Sequence, residues 1–365
     1  MARQRVLLLI DHLGIGGAQR HTALLASCLV QAGHEVALAF TGTAQLAVAP
    51  GVRAMPLRPE PVSRRRDRAL EESALTAAER FRPTIVHAHL YASALAGAAV
   101  AERHQIPLVL SHHSNGTWQT ESDRRLLAWP LRAAKHHFAA SPQIRLAIIA
   151  QGVHPSRVEF LANAVPFPES SVPLPVFSES LRIGFLARFT RDKDPLTLLR
   201  AFARLRRGGV PAQLAMCGGG ELEEEVRVAV KLLQLPSVTF VGKPVDNVAE
   251  FFSAVDVLCL SSRNEGMPLV VLEAMSHGLP VVATRAGAVP LEVQHGVTGL
   301  LAEPGDDCGL AEHLAWMWRH PSERRQMGSQ GRLRARNRFS LERMAKRVEV
   351  VYLRLAAGIE LGGVR

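Results

Sequence analysis

Short apolar runs alternate along the chain with longer segments in which apolar and polar residues recur at helical spacing. A short apolar run bounded by turn residues predicts a strand that is buried on both faces, as in a parallel sheet. Strands that alternate with helices predict an α/β fold. The predicted strands are 5–11, 34–40, 52–57, 84–89, 107–110, 137–140, 158–161, 181–187, 213–217, 238–242, 257–260 and 281–283.

The alternation of strand and helix is interrupted by a segment rich in Pro and Ser at 166–180. Such a composition is typical of a linker between domains. A chain of 365 residues is long enough for two domains of ordinary size. The sequence therefore predicts one α/β domain over 1–165 and a second over 181–340.

Composition and charge narrow the class of protein. Hydrophobic residues make up 47% and charged residues 21% of the chain, which is typical of a globular protein. No apolar run approaches the ~20 residues that span a bilayer, and the four scattered cysteines indicate free thiols in a reducing cytosol. The formal charge of +10 suits anionic partners such as nucleotide diphosphates or anionic lipid. No nucleic-acid motif accompanies it, so we expect no nucleic-acid partner.

Two carboxylates frame the stretch 261–284, which is predicted to form a strand end, a loop, a helix and another strand. Pro268 suits the first helical position because its missing N–H is not needed there, and Gly278 ends the helix. Glu265 lies on the loop after a parallel strand, where open α/β sheets bind ligands, and Glu273 lies inside the helix. Ionised carboxylates accept hydrogen bonds strongly from sugar or ribose hydroxyls. The alternative is that Glu265 caps the helix and Glu273 is solvated.

Two loops carry candidate groups for binding phosphate. Arg188 and Lys193 flank a loop between a strand and a helix N-terminus, and they offer phosphate a bidentate fork and a point charge. The alternative is a solvated charged loop. Gly16 and Gly17 follow the first strand in a Rossmann-type opening, but Gln19 stands where the dinucleotide fingerprint needs its last glycine. We therefore do not expect NAD binding.

Histidine and tryptophan supply two further candidates. His112, at the end of a predicted strand, could act as a base or bind a sugar hydroxyl, with His113 as the alternative in the other register. A histidine bonded to neighbouring loop backbone would give the same pattern. The predicted helix 121–135, broken near Pro130, combines basic residues with Trp129, as in helices that rest on anionic membrane. An ordinary amphipathic surface helix would look alike.

The stretch around the two glutamates resembles a known signature. Glu265 and Glu273, with seven residues between them in the setting Asn264-Glu-Gly-Met-Pro-Leu-Val-Val-Leu-Glu-Ala-Met, look like the Glu-x7-Glu motif of the retaining glycosyltransferases of family 4. Other segments that resemble this family are 16–21, 188–193, 218–221 and 295–301. Positions where the family usually has glycine or proline are here Ala162, Ala164, Ala187, Asp194 and Ala288.

The resemblance implies the GT-B architecture, in which two Rossmann-like domains face a cleft. The first domain would bind the acceptor and the second the nucleotide-sugar donor, and a C-terminal helix at 341–357 would pack back on the first domain. The catalytic residues that the resemblance implies are Glu265, His112, Arg188 and Lys193. The donor-binding residues that it implies are Gly16, Gly17, Arg188, Lys193, Gly218, Gly220, Lys243, Gly266, Met267, Pro268, Leu269 and Glu273.

The activity that the resemblance implies is retaining transfer of a sugar from a nucleotide-diphospho-sugar, such as a UDP-sugar, to an acceptor hydroxyl. The setting would be polysaccharide, glycolipid or cell-envelope glycan synthesis, with a glycan or lipid-linked acceptor. Cationic side chains and a helix N-terminus would stabilise the departing diphosphate, so no metal ion and no cofactor are expected. We expect a cytoplasmic protein, with peripheral contact to anionic membrane. The alternatives are a nucleotide-sugar 2-epimerase of the same architecture and a non-catalytic nucleotide-sugar-binding protein.

Overall fold

Two parallel β-sheets, one in each of two compact units, form the framework of the protein. The structure is a computed structural model that describes residues 3–62, 66–116, 119–168, 179–241 and 248–359. The first unit comprises Met1–Ala164 and Leu341–Arg365, and the second comprises Val165–Ser340. Most of the predicted linker, and Lys243, lie outside the described residues. In the described part of the chain, no helix is both long and apolar enough to cross a membrane.

Strands and helices alternate along the chain, as the apolar pattern predicts, and one strand, Gly299–Ala302, was not among those predicted. The strands are β1 (Arg5–His12), β2 (Glu35–Thr41), β3 (Val52–Arg58), β4 (Ile85–His89), β5 (Leu108–His112), β6 (His136–Ala139), β7 (Val158–Phe160), β8 (Leu181–Leu186), β9 (Ala212–Cys217), β10 (Val238–Phe240), β11 (Val257–Leu260), β12 (Val281–Thr284) and β13 (Gly299–Ala302). The helices are α1 (Gly17–Gln31), α2 (Arg68–Phe81), α3 (Tyr91–His104), α4 (Glu121–Ala133), α5 (Pro142–Ala150), α6 (Pro195–Arg207), α7 (Glu223–Leu232), α8 (Val248–Ser253), α9 (Leu269–Ser276), α10 (Val289–Glu292), α11 (Asp307–Arg319), α12 (Pro321–Arg338) and α13 (Leu341–Ala356).

The first unit is built on a seven-stranded sheet in the order β3-β2-β1-β4-β5-β6-β7, and all its strands are parallel. Its central strands, such as β1, are apolar, as expected for strands covered by helices on both faces of the sheet. Helix α13 belongs to this unit, where Val348 and Tyr352 are fully buried in the core. The strand order reverses between β1 and β4. In open α/β sheets, ligands bind at such a switch point, beside the carboxyl ends of the strands.

The second unit has a six-stranded parallel sheet in the order β10-β9-β8-β11-β12-β13. Its central strands are fully buried, as Ile183 in β8 and Leu258 in β11 illustrate. The order reverses between β8 and β11, so the switch point of this sheet lies at the carboxyl ends of those two strands. The loop with Arg188 and Lys193 follows β8, and the loop with Glu265 follows β11.

Two predicted details of helices, a break near Pro130 and the first residue of α9, differ from the structure. The predicted break near Pro130 is wrong, because α4 continues through it to Ala133. Pro130 removes one helical hydrogen bond, but its burial beside Leu127 and Leu131 holds the helix against the unit. Pro268 is the N-cap of α9 rather than its first residue. A shift of one residue at a helix end is below what a sequence pattern resolves.

Candidate functional site

Hydrogen bonds to backbone carbonyls join the loop that follows β8 to the loop that follows β11. The N–H of Arg263 donates to the carbonyl of Asp192 at 2.7 Å. The Ser261 hydroxyl donates to the carbonyls of Lys193 at 3.1 Å and Asp194 at 2.8 Å. These bonds bring together two segments about seventy residues apart in sequence, so their side chains form one site at the switch point of the second sheet.

Lys193 and Glu265 form the ion pair at the centre of this site. The Lys193 Nζ lies 2.6 Å from Glu265 Oε2, and the Ser262 hydroxyl donates to Glu265 Oε1 at 2.6 Å. The Glu265 side chain is only 4% exposed, so water screens this pair less than a surface pair. Both carboxylate oxygens of Glu265 are therefore hydrogen-bonded in this structure. The ion pair also fixes the position of the Lys193 ammonium group at the switch point of the sheet.

Asp194 explains how the Arg188–Lys193 loop turns into helix α6. Its φ of +43° is left-handed, a conformation that glycine adopts without strain and that Asp tolerates better than most residues. Its carboxylate accepts hydrogen bonds from the N–H and hydroxyl of Thr197 and pairs with Arg263 at 2.7 Å. Asp at this position thus keeps the backbone turn of the family's glycine and adds an N-cap.

Arg188 extends into solvent on the same loop. It is exposed, and its guanidinium has no hydrogen-bond or ion-pair partner among the residues that the structure describes. The first part of the loop is held by backbone contacts, since Phe189 N–H donates to the carbonyl of Gly219 at 2.9 Å. The position of Arg188 suits a phosphate ligand, for which the planar guanidinium offers two parallel N–H groups.

The turn after β9 packs tightly on the backbone of that loop. Gly218 has a φ of +150°, and a Cβ there would lie 1.9 Å from the carbonyl oxygen of Ala187. A Cβ on Gly220 would lie 2.6 Å from the carbonyl oxygen of Phe189. No side chain other than hydrogen fits at Gly218, so this turn is a fixed wall of the site rather than a flexible loop.

Helix α9 begins directly after the Glu265 loop. Its N-cap, Pro268, has no side-chain hydrogen bond to the first N–H groups of the helix, which are therefore suited to an anion. Met267 and Leu269 are buried and anchor this end of the helix, and Glu273 is 6% exposed one turn further on. The alternative in which Glu265 caps the helix and Glu273 is solvated is therefore wrong.

Glu292, to which the sequence assigned no function, lies close to this site. Its side chain is fully buried in α10, and burial, together with the charge of Glu265, raises its pKa well above the usual value, although Lys193 acts in the opposite direction. The N–H of Ala288, just before α10, donates to the Gly266 carbonyl at 2.9 Å. The sequence shows only a glutamate shortly after a Gly-Ala-Val-Pro turn, and this pattern does not reveal that the side chain is buried.

Histidines that are buried or half-buried cluster on strands β4, β5 and β6 of the first unit. His112 Nε2 lies 3.1 Å from His137 Nδ1, so its partner is another imidazole and not loop backbone. His87 bonds to the hydroxyls of Tyr352 at 2.6 Å and Ser111 at 2.8 Å. Burial lowers the pKa of His112 to about 4, so this ring is neutral at pH 7 and can accept or donate one hydrogen bond.

Three histidine rings of the first unit, those of His21, His89 and His113, are close enough together to be considered as a metal site. One nitrogen each of His21, His89 and His113 lies within 4.8 Å of the others. However, His89 Nδ1 and His113 Nε2 are already 3.1 Å apart, and the two rings stack at 19° rather than converge on one point. His21, His112, His113 and Asn163 also line a cavity of about 10 Å³, which has room for about one water molecule.

The structure also gives the positions of Gly16, Gly17 and Trp129, which the sequence analysis singled out. Gly16 is the N-cap of α1 and Gly17 its first residue, at the switch point of the first sheet. Trp129 on α4 is half-buried, and the Arg66 guanidinium lies 5.7 Å from its ring centroid. Trp129 is thus partly covered by the protein itself.

The fold and the position of the site define a class of protein. Each unit is a Rossmann-like α/β domain with a parallel sheet and a topological switch point, and two such domains in one chain are the GT-B architecture. The prediction of two Rossmann-like domains is confirmed. A family model described as Glycosyltransferase Family 4 matches residues 15–167, and one described as Glycosyl transferases group 1 matches residues 167–334. The chain belongs to the glycosyltransferases of family 4.

Individual relatives agree with this family. N-acetyl-alpha-D-glucosaminyl L-malate synthase of Bacillus anthracis is 34% identical to this chain over 177 residues. The match covers 48% of this chain and 46% of that relative, so it spans about half of the relative's length. Sucrose-phosphate synthase of Thermosynechococcus elongatus has a TM-score of 0.83 at 22% identity, covering 98% of this chain and 100% of the other. HepE of Anabaena, solved with UDP and glucose, has a TM-score of 0.81 at 19% identity, covering 96% and 99%. At these identities the two solved structures establish the fold.

Proposed function

We propose that the protein is a retaining glycosyltransferase that moves a sugar from a nucleotide-diphospho-sugar to an acceptor hydroxyl. The observation that carries this proposal is the pairing of Lys193 with Glu265 at the switch point of the second sheet, beside the exposed Arg188. A cation pair and a helix N-terminus suit a diphosphate, and buried carboxylates suit hydroxyls. A nucleotide-diphospho-sugar contains both kinds of group.

The charge that develops during transfer decides the role of each cation. When the bond between sugar and diphosphate breaks, negative charge grows on the leaving oxygen. Arg188, Lys193 and the first N–H groups of α9 stabilise that charge, because fixed donors need no reorganisation as the reaction proceeds. In this mechanism the protein supplies the positive charge, so we propose that the reaction needs no metal ion.

The two glutamates bind the uncharged parts of the donor. Glu273 accepts hydrogen bonds from the ribose hydroxyls, and Glu265 accepts hydrogen bonds from the sugar and faces the positive charge that builds at its anomeric carbon. Lys193 leaves Glu265 for the diphosphate when the donor binds. His112, in the first unit, is neutral at pH 7 and contacts the donor sugar through a hydrogen bond. The acceptor oxygen then attacks from the face that the leaving group vacates, so the configuration is retained.

The acceptor carries a hydroxyl group whose identity the first unit determines. We propose a glycan or lipid-linked acceptor, in polysaccharide, glycolipid or cell-envelope glycan synthesis. The related proteins described above have malate and sucrose phosphate in their names. Small hydroxyl compounds are therefore included among the acceptors to be tested.

A donor panel tests the proposal. Purified protein is incubated with UDP-, GDP- and ADP-sugars, with and without candidate acceptors and with EDTA throughout, and release of nucleoside diphosphate is measured. We expect one donor to be turned over, with Arg188→Ala reduced by about 10²–10³ in rate. Arg206→Ala is the matched control, because Arg206 is exposed at the far end of α6.

The products separate the alternatives. Proton NMR of the transferred sugar shows whether its anomeric configuration matches that of the donor. An epimerised donor formed without acceptor would instead identify a nucleotide-sugar 2-epimerase. Tight binding of a donor without turnover on any acceptor would identify a non-catalytic binding protein. Activity that disappears with EDTA and returns with a divalent cation would overturn metal independence.

A further inference from the structure

Glu292 is a carboxyl in an environment that does not suit a charge. Its side chain has zero exposure, and neither Oε1 nor Oε2 has a hydrogen-bond partner in the described ranges of the chain. Burying an ionised carboxylate without partners is so unfavourable that such a group normally binds a proton. The group is nonetheless close enough to Glu265 and Lys193 for their charges to act on it.

The backbone fixes Glu292 behind the Glu265 loop. Gly287 has a φ of +54°, and a Cβ there would lie 1.8 Å from the carbonyl oxygen of Glu265. The next residue, Ala288, bonds to the Gly266 carbonyl and also accepts the N–H of Glu292 at 3.3 Å. Glu292 is therefore one helical turn from a segment in direct contact with Glu265, and the turn leaves no space for α10 to move closer.

The charged groups around Glu292 do not neutralise it. Arg334, on α12, donates to the backbone carbonyls of Glu292 at 2.8 Å and Leu291 at 2.7 Å, and so it holds the end of α10 rather than the carboxyl. Lys193 is paired with Glu265. The negative charge of Glu265 disfavours a second negative charge nearby, in the same direction as burial.

We propose that Glu292 is a positioning residue of the donor site that stays protonated, so that Glu265 and Glu292 together carry a single negative charge balanced by Lys193. This inference rests on the proposed function and adds a residue that its mechanism does not include. If Glu292 were ionised, two negative charges would act on Lys193, and they would retain it and weaken its contact with a diphosphate. A neutral Glu292 leaves Lys193 able to move to the donor.

The first test needs no ligand. Urea unfolding of the intact protein is measured for the wild type and Glu292→Gln from pH 5 to pH 9. The unfolded carboxyl ionises near pH ~4.3, whereas the folded one keeps its proton. The wild type therefore loses stability relative to the variant as pH rises, until the folded group ionises. We expect the ratio of the two folding equilibrium constants to change about tenfold per pH unit in that window.

Two further variants keep this test decisive. The buried amide of Gln adds a constant penalty, so only the dependence on pH is diagnostic. If Glu292→Gln does not fold, Glu292→Met provides an uncharged side chain of similar length that cannot titrate. Glu312→Gln, at an exposed position on α11, should show a ratio that does not change with pH. The same flat ratio for Glu292→Gln or Glu292→Met would overturn the proposal.

The second test concerns the donor site. UDP binding to the wild type and Glu292→Gln is measured by calorimetry from pH 7 to one pH unit above the point at which the unfolding comparison shows that Glu292 ionises. We expect wild-type affinity to fall at least threefold relative to that of Glu292→Gln across that point, because ionisation of the uracil of UDP affects both proteins equally and cancels in the ratio. The same pH dependence in both proteins would contradict the positioning role. If neither protein binds UDP, GDP or ADP, the proposed function fails, while the unfolding comparison still tests the proton on Glu292.

Discussion

At Lys193 and Glu265 the protein places two functional groups in contact with each other, before any ligand is bound. The pair is 2.6 Å apart, and the glutamate is almost fully buried. An ion pair of this kind orients the carboxylate. In the proposed mechanism a diphosphate competes with Glu265 for Lys193, and the exchange frees Glu265 to bind the hydroxyls of the sugar.

Replacing the lysine tests this exchange. Lys193→Ala should lower turnover by about 10²–10³, because one cation that faces the leaving group is lost. Lys231→Ala, at an exposed position on α7, is the matched control and should keep wild-type turnover. Nucleoside diphosphate release is the measurement. A turnover for Lys193→Ala within threefold of the wild type would show that this side chain does not contact the leaving group.

Asp194 is the residue at which a departure from the family pattern has a clear physical reason. Asp194→Gly removes the cap but suits the left-handed backbone, so it should lower the free energy of unfolding by only about 0.5 kcal/mol. Asp194→Ala removes the cap and keeps a Cβ in the left-handed conformation, so it should cost about 1 kcal/mol more than Asp194→Gly. Urea unfolding of both variants measures the difference. Equal stabilities for the two variants would contradict the backbone argument.

At the level of elements, the sequence predicts strands and helices better than it predicts which side chains meet. Apolar runs predict the strands because both faces of a parallel strand are buried, and β8 and β11 lie where those runs are. The Lys193–Glu265 contact requires that β8 and β11 be neighbours in the sheet. Strand order is a property of the folded topology, and local composition does not encode it.

For the candidate site too, the sequence predicts individual residues better than it predicts the contacts between them. Arg188, Lys193, Glu265 and Glu273 could be singled out from their types and their positions at strand ends or in the following helix. The roles of Asp194 and the buried Glu292 could not, because each depends on a segment distant in sequence. The bond between Ser262 and Glu265 is local, but it depends on how the loop between them turns. The histidine pairs of the first unit are likewise contacts between strands, such as His112 with His137.

The turn after β9 gives the sharpest prediction for an element. Gly218→Ala should destabilise the protein by at least about 2 kcal/mol, because its Cβ would overlap the Ala187 carbonyl and the backbone must shift. Gly219→Ala is the matched control, since a Cβ there meets only the flexible Glu223 side chain at 3.2 Å. Thermal and urea unfolding compare the two variants. A Gly218→Ala protein as stable as the control would show that this turn has room for a side chain.

For the whole molecule, the distribution of histidine sets the response to acid. Eleven of the fifteen histidines lie in the first 170 residues. Burial lowers the pKa of His21 and His112 to about 4, whereas an unfolded histidine titrates near pH ~6.5. The unfolded chain therefore binds more protons than the folded one between these values, and stability is lost as pH falls through that window.

Acid unfolding measures this effect. The free energy of unfolding should fall from pH 6.5 to pH 4 by about 1.4 kcal/mol per pH unit for each buried histidine that stays neutral. Glu292 acts with the opposite sign, so variants are compared with the wild type at each pH. His112→Gln should reduce the slope by about one proton, and His154→Gln, at an exposed position, should leave it unchanged. Equal slopes for His112→Gln and the wild type would contradict a neutral His112.

The most direct test of the donor site in the second unit is a calorimetric titration with UDP-, GDP- and ADP-sugars at pH 7.5 in the presence of EDTA. The wild type, Arg188→Ala, Glu273→Ala and the control Arg206→Ala are compared. If the loops after β8 and β11 hold the donor, one nucleotide-sugar binds the wild type and the control equally, and both site variants lose at least tenfold in affinity. Binding that is unchanged in Arg188→Ala and Glu273→Ala, or no binding of any donor to the folded wild type, would contradict this assignment.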